Sequence, residues 1–382
     1  MSEASISADH KPLWIEVVTD TFVPDINGVA ISLGRFCAGL RERGHRVEII
    51  RSGRVAGEFE TRVFSWPLPG YWEIKVGAPW PGELYRRWKR NRPDVIYVAI
   101  ETPLGFSAAA AARRLGIPVV GGFHTNFYEY LQKYGANWVG KQVWRYQKWF
   151  HDRLARTLVP SPDAHEKLVR AGFAKTTVLG RGVDTDLFTP EKRSESLRRE
   201  YGAKGDAPVA LVVGRVAAEK NIGLALRAFT EMRKSCPELV CRVIGDGPVR
   251  AKLRRDYPDV HFPGYLTGEA LAACYASADI MLFPSETETF GNVLLEGMSS
   301  GLAILSYDYA AAAWHGKHGE NLLKVKKGEA AAFIETSIQL LDPLTRSKLR
   351  EGARRTSEML SWSKVVVELE HIFYEVVDAS KP

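Results

Sequence analysis

The sequence predicts an α/β protein made of two Rossmann-like units, each a parallel sheet covered by helices on both faces. Three observations carry this. Short apolar, β-branched runs alternate with amphipathic helical stretches along nearly the whole chain. The alternation breaks at 180–190, where Gly, Asp and Pro mix without helical period, and then restarts. The 382 residues suit two domains of ordinary size.

In the first half, 13–19 reads as a buried strand, the Pro24–Gly28 stretch as a loop, and 29–43 as an amphipathic helix stopped by Gly44. Further strands are expected at 47–51, 95–100, 118–123 and 157–160, with helices at 104–115 and 162–171 between them. In the second half, strands are expected at 210–214, 239–245, 260–263, 280–284 and 303–306. Helices at 221–235, 249–256, 268–277 and 292–300 separate them, and 362–378 closes the chain as a helix. The expected organisation is a disordered tail over 1–11, a first domain over 12–181, a linker over 182–190 and a second domain over 191–361. The helix of 362–382 is placed to cross back to the first domain.

Composition narrows the function. Hydrophobic residues make up 45% and charged residues 25%, as in ordinary globular proteins. The four cysteines, Cys37, Cys236, Cys241 and Cys274, form no C-x-x-C pair, so zinc and redox chemistry are not indicated. The start of the chain has no apolar core of a secretory signal, and no run reaches the roughly 18 apolar residues of a spanning helix. A cytoplasmic protein is expected. The net charge of +7 is uneven: up to residue 180 there are 25 Lys and Arg against 17 Asp and Glu. Eight of the ten tryptophans also precede residue 151. A basic surface rich in Trp points to anionic lipid or nucleic acid, and the chain carries no RNA-binding signature.

Open α/β sheets bind ligands beyond the carboxyl ends of their strands, and three segments sit there. Asn27-Gly28 lies between the first strand and its helix, where free N–H groups meet a phosphate or where an ordinary turn lies. Gly214-Arg215 to Lys220-Asn221 follows a strand and carries two cations five residues apart. They face a pyrophosphate or are solvated surface charges. Glu286 to Glu296 contains Glu288, Phe290, Gly291 and Asn292 between an apolar strand and an apolar helix. Its carboxylates suit vicinal hydroxyls, and its helix start suits phosphate; alternatively they are helix-start acids that favour the macrodipole.

Taken together, these segments resemble the GT-B glycosyltransferases of family GT4, a group that includes bacterial lipid mannosyltransferases and glycolipid synthases. The resemblance is carried by E-x7-E at Glu288 and Glu296, and by Gly214, Arg215, Glu219 and Lys220. It extends to Gly182–Pro190, to Asp20, Pro24, Asn27, Gly28 and Val29, to Phe123-His124-Thr125-Asn126-Phe127, and to Ile244-Gly245-Asp246-Gly247-Pro248. These run in order over residues 13–325. The resemblance implies two facing Rossmann-like domains, and a retaining, metal-independent transfer of a hexosyl unit from a nucleotide diphosphate sugar. No cofactor is implied. It also implies that Arg215 and Lys220, on the loop that Gly214 opens, hold the diphosphate, and that the turn of Gly247 lies near the nucleotide base. Glu288 contacts the donor sugar, Glu296 the ribose hydroxyls, and His124 lies beside the transferred sugar. The chain departs from the pattern at Tyr309–Gly316, where an alanine run replaces a glycine-rich turn and an acid.

The acceptor side is read from the first half. The stretch 138–153 forms an amphipathic helix with Val139, Val143, Tyr146 and Phe150 on one face and Lys141, Arg145 and Lys148 on another. Arg86, Arg87 and Trp88 belong to a second basic-aromatic cluster. Such surfaces hold anionic membranes reversibly, or their apolar face is core and their basic face simply solvated; the expected acceptor is a membrane lipid and the expected location the inner face of the cell membrane. The competing readings are polysaccharide assembly, a nucleotide-sugar epimerase and a basic nucleic-acid binder.

Overall fold

A computed structural model describes residues 11–381 apart from 26, 54–56, 69–70, 79, 125–136 and 289. The tail over 1–10, Ile26, the Thr125–Phe127 part of the histidine loop and Thr289 lie outside the described residues. The chain forms two compact units, residues 1–180 with 362–382, and residues 181–361.

The first unit is built on a seven-stranded sheet in the order β3-β2-β1-β6-β7-β8-β9. Its strands are β1 (Trp14–Thr19), β2 (Arg46–Arg51), β3 (Glu60–Arg62), β6 (Val95–Val98), β7 (Val119–Gly122), β8 (Arg156–Val159) and β9 (Thr176–Val178). Every pairing in it is parallel. A separate antiparallel pair joins β4 (Ser65–Leu68) to β5 (Tyr71–Gly77). Alternation along each strand feeds two cores. Ile15, Val17, Val47, Ile49, Val95 and Tyr97 point to one, and Val18, Ile50, Ile96 and Val98 to the other. That is why the strands read as continuous apolar runs.

Helix Trp362–Ala379 belongs to this first unit and buries Val365, Val366, Leu369, Ile372 and Phe373 with helix Gly28–Glu42 in the first core. Gly39 makes the close approach possible, since a Cβ there would lie 2.7 Å from Val366 Cγ2. Glu370 fixes the register by accepting from Arg43 at 2.6 Å and meeting His45 Nε2 at 2.7 Å. His45 in turn accepts from the Leu13 amide, at the start of the sheet.

The second unit is a six-stranded, all-parallel sheet in the order β12-β11-β10-β13-β14-β15. The strands are β10 (Val209–Val213), β11 (Val240–Ile244), β12 (His261–Gly264), β13 (Ile280–Phe283), β14 (Ala303–Tyr307) and β15 (Leu323–Val325). Again one face carries Val209, Leu211 and Val213 and the other Ala210 and Val212.

The 182–190 stretch, expected as a linker, is part of this second unit. Phe188 is buried edge-on against Tyr275, with ring centroids 5.6 Å apart. The Phe188 carbonyl accepts from Ser299 Oγ at 2.6 Å and from Arg354 at 3.2 Å. Gly, Asp and Pro broke the helical period here without freeing the chain, because one aromatic side chain anchors the segment. Val183 also pairs with the far end of the unit, donating its amide to Leu360.

Candidate donor site and acceptor face

In the second unit, the loops after β10, β11, β12 and β13 gather at the carboxyl end of the sheet, and backbone bonds tie them together. The Val216 amide donates to Asp246 O and the Val249 amide to Val216 O. Gly247 fits between them only because it lacks a side chain: its φ is +157°, and a Cβ would sit 2.4 Å from Val216 O. Gly214, at φ +146°, faces open space, so a ligand has backbone access there. The Glu286 amide donates to Glu219 O, and Asn221 Nδ2 to Glu286 Oε1.

On this frame Lys220 Nζ lies 2.5 Å from Glu288 Oε1 and 3.3 Å from Thr287 O. Arg215 is half exposed and sits 3.7 Å from Glu219, which is itself nearly buried. Phe290 is buried, and Gly291 adopts φ +99° to turn the chain into helix Asn292–Ser299. Gly291 is packed close to Glu288, since a Cβ on it would lie 3.6 Å from Glu288 Cγ. Glu296, one turn in, accepts from Tyr275 Oη at 2.9 Å. Burial pushes its carboxyl up to about 7, and the Tyr275 hydroxyl acts against that. All the second-unit residues expected from the sequence, Gly214, Arg215, Lys220, Gly247, Glu286, Glu288, Phe290, Gly291, Asn292 and Glu296, therefore lie on this one rim.

Two participants were not expected. Tyr265, half exposed just after β12, has its phenol pushed up by burial and by the charge of Glu296, which places the two together. The second is the alanine-rich segment. It forms helix Ala311–His315, and its leading turn grips the acidic loop. Tyr309 Oη donates to Glu288 O at 2.8 Å and the Ala311 amide to Phe290 O at 2.9 Å. Between them Ala310 takes φ +51°, a region that L side chains avoid.

In the first unit, His124 follows β7, is buried, and meets the Tyr97 hydroxyl through Nε2 at 2.8 Å. Asn27 is the N-cap of helix Gly28–Glu42. Its Oδ1 accepts from Ala30 N at 2.9 Å and its amide donates to Thr21 Oγ1 at 2.7 Å. Gly28 is the first helical residue and is exposed. Asp20 is a structural tie, accepting from the Gly77 amide and the Thr102 hydroxyl.

The basic-aromatic expectations need correction. Trp88 is 1% exposed and belongs to the second core of this unit, so it meets no membrane. Arg87 is drawn inward by Glu16 at 3.1 Å and Glu48 at 3.0 Å. Lys148 is paired with Asp152 at 2.5 Å and lies over the Phe173 ring. Tyr146 is on the open side of helix Asn137–His151, whose buried side carries Gln147, Phe150 and His151 instead. The side chains of Trp138 and Val139 lie outside the described residues. Arg86, Lys141 and Arg145 are exposed. Among the exposed large aromatics are Phe64 at 70%, Trp80 at 53% and Trp66 at 39%. Trp80 caps helix Pro81–Arg90, which also exposes Lys89 and Arg90. Ala78 ties this stretch to the hairpin through Phe64 O.

Two parallel Rossmann-like sheets, with cations and acids gathered at the strand ends of the second, define the class: a GT-B glycosyltransferase acting on nucleotide sugars. The profile of Glycosyltransferase Family 4 matches residues 26–187 and that of Glycosyl transferases group 1 matches residues 207–343. A GDP-mannose-dependent alpha-mannosyltransferase of Mycolicibacterium smegmatis is 34% identical over 305 residues, covering 77% of this chain and 79% of that protein. An alpha-monoglucosyldiacylglycerol synthase of Acholeplasma laidlawii is 25% identical over 336 residues, 80% of this chain and 83% of that one. Among solved structures, the sucrose-phosphate synthase of Thermosynechococcus elongatus has the same fold with a TM-score of 0.75. It is 16% identical and covers 96% of this chain and 100% of that one. The chain belongs to glycosyltransferase family 4.

Proposed function

We propose that the protein is a retaining, metal-independent hexosyltransferase that moves a sugar from a nucleotide diphosphate donor, GDP-mannose in the first instance, to a membrane lipid. The observation that carries the reading is the joint placement of Lys220, Glu288 and Glu296 with Arg215 on the strand-end rim of the second unit. Arg215 and Lys220 neutralise the charge that grows on the departing diphosphate, which preorganised donors do best in a site shielded from water. Glu288 takes the sugar hydroxyls and Glu296 the ribose. The acceptor hydroxyl attacks from the leaving-group face and gives its proton to the departing phosphate.

A mannosyl donor is supported by the GDP-mannose-dependent relatives, and a lipid acceptor by the glucosyldiacylglycerol synthase. Among the described residues no helix is long and apolar enough to cross a membrane. The surface that suits an anionic interface is formed by the exposed Phe64, Trp66 and Trp80 with Arg86, Lys89 and Arg90.

The test is transfer itself. The protein is incubated with labelled GDP-mannose, UDP-glucose, UDP-galactose or UDP-glucuronate and anionic vesicles containing diacylglycerol or phosphatidylinositol. Label in the lipid phase, with the donor's anomeric configuration kept, is expected. Isomerised donor, or label only in water-soluble polymer, refutes the lipid reading.

A further inference from the structure

Two contacts lead from the 182–190 segment to Glu296. Asp184 shapes the segment: its Oδ1 accepts from the Leu187 amide at 2.9 Å and its carbonyl from the Phe188 amide at 2.9 Å. Side chain and carbonyl together close a turn that presents the Phe188 ring inward. The ring meets Tyr275 edge-on at 5.6 Å, and the Phe188 carbonyl accepts from Ser299 Oγ at 2.6 Å. Ser299 ends helix Asn292–Ser299, which carries Glu296. Phe188 therefore holds both partners of the Tyr275–Glu296 hydrogen bond, the tyrosine by its ring and the helix of the glutamate by its carbonyl.

Tyr275 is fully buried on helix Gly268–Ala276. Its ring would pack as well without the hydroxyl, and a buried hydroxyl needs a partner. Tyr275 Oη donates to Glu296 Oε2 at 2.9 Å and lies 3.5 Å from Val293 O on the same helix as Glu296. Glu296 keeps part of its surface open. Among the described residues Tyr275 is the one group bonded to Oε2, nothing bonds to Oε1, and no Lys or Arg pairs with the carboxylate. The titratable groups that face it are Tyr275 and Tyr265. One oxygen is thereby fixed by a neutral donor that stays protonated, since burial and Glu296 push the Tyr275 phenol up, and the other can accept from a ligand hydroxyl.

We propose that Tyr275 and Phe188 are positioning residues for the nucleotide: the Tyr275 hydroxyl fixes the Glu296 carboxylate so that Oε1 meets a ribose hydroxyl, and Phe188 holds Tyr275 in place. The 182–190 segment then serves the donor site from behind, without touching the ligand. A hydrogen bond to the ionised carboxylate favours that form, so the hydroxyl acts on nucleotide binding and not on the reacting centre. The inference rests on the reading of Glu296 as the acid that takes the ribose.

The test is calorimetry of GDP-mannose and UDP-glucose on the full chain, on both sides of pH 7, together with initial rates. Tyr275→Phe keeps the ring that packs on Phe188. It should weaken binding of whichever nucleotide sugar the natural chain takes by about tenfold, move the rise of affinity to higher pH, and raise the donor KM more than it lowers kcat. In a Glu296→Gln background the same substitution should add little, because the hydroxyl then has no carboxylate to fix. Phe188→Leu stays apolar but removes the ring edge, and should weaken binding in the same direction by about threefold; it carries the same cycle if Tyr275→Phe does not fold. Losses that add fully to that of Glu296→Gln, or a lower melting temperature with unchanged affinity and pH profile, overturn the positioning role and leave the donor reading intact. An unsubstituted protein that binds neither nucleotide sugar contradicts the donor reading instead.

Discussion

Lys220 Nζ and Glu288 Oε1 are 2.5 Å apart, so the cation proposed for phosphate and the acid proposed for sugar neutralise each other. A donor has to separate them. Glu288→Gln frees Lys220, so affinity for a nucleoside diphosphate without sugar should be unchanged or higher while turnover falls. Calorimetry with GDP and UDP, alongside initial rates, checks this. Weaker diphosphate binding in Glu288→Gln would show that the acid, not the lysine, orders the loop.

Arg215→Ala and Lys220→Ala should each lose about 2–4 kcal/mol of transition-state stabilisation, seen mainly in kcat. Arg215 is half exposed, so its loss should leave the melting temperature unchanged. Near-normal turnover in both variants would remove the charge-neutralisation role.

Tyr309 holds the acidic loop through Glu288 O. Tyr309→Phe deletes one hydrogen bond and should cost about 1 kcal/mol of stability. If the bond positions Glu288, the donor KM also rises, whereas a purely structural role moves the melting temperature alone. Ala310→Gly relieves a residue at φ +51° and should be neutral or stabilising.

Two carboxyls are pushed up to about 7 by burial, Glu16 and Glu296. A folded-state value above the unfolded one near 4.5 means stability that is full below about pH 4.5 and lost as pH rises through 7. Glu16 is fully buried and only partly offset by Arg87, and its share of this loss is on the order of 3 kcal/mol. Glu16→Gln should therefore gain stability over the natural chain at pH 8 and little at pH 4, read by urea unfolding. For Glu296, ribose hydroxyls favour the ionised form. The affinity for a nucleotide sugar, which has no phosphate titrating near neutrality, should climb through pH 7 and become flat in Glu296→Gln.

Gly39 lets helix Trp362–Ala379 seat on helix Gly28–Glu42. Gly39→Val pushes against Val366 and should cost about 1–3 kcal/mol, measured by denaturant midpoint. An unchanged midpoint would mean that the closing helix contributes little to the first unit.

The gathering of the expected side chains at the strand ends of the second unit was legible because they are local in sequence: each motif follows a strand, and strand ends of a parallel sheet converge. Glu296 could be placed from helix period and Glu288 from the loop between strand and helix. Tyr309 could not, because its role rests on a hydrogen bond to a carbonyl 21 residues away, and the alanine run gave only helix propensity. Trp88 was misread because a basic helix with an inward Trp has the same composition as one with an outward Trp. Burial of a single aromatic depends on the neighbouring helix, which the pattern does not name. The hairpin of β4 and β5 escaped notice because Trp and Pro interrupt its alternation. The pairing of Phe106 with Trp149 was hidden for a related reason: the two lie 43 residues apart in the chain, and only the fold stacks them.

The central claim is that the strand-end rim of the second unit holds a nucleotide diphosphate through Arg215 and Lys220. Isothermal titration of GDP and UDP into the full chain and into the Arg215→Ala/Lys220→Ala double variant tests it most directly. One-to-one binding of at least one nucleotide that weakens a hundredfold or more, about 2.7 kcal/mol, in a double variant of unchanged melting temperature is the predicted result. Equal affinity in the two proteins would contradict the account.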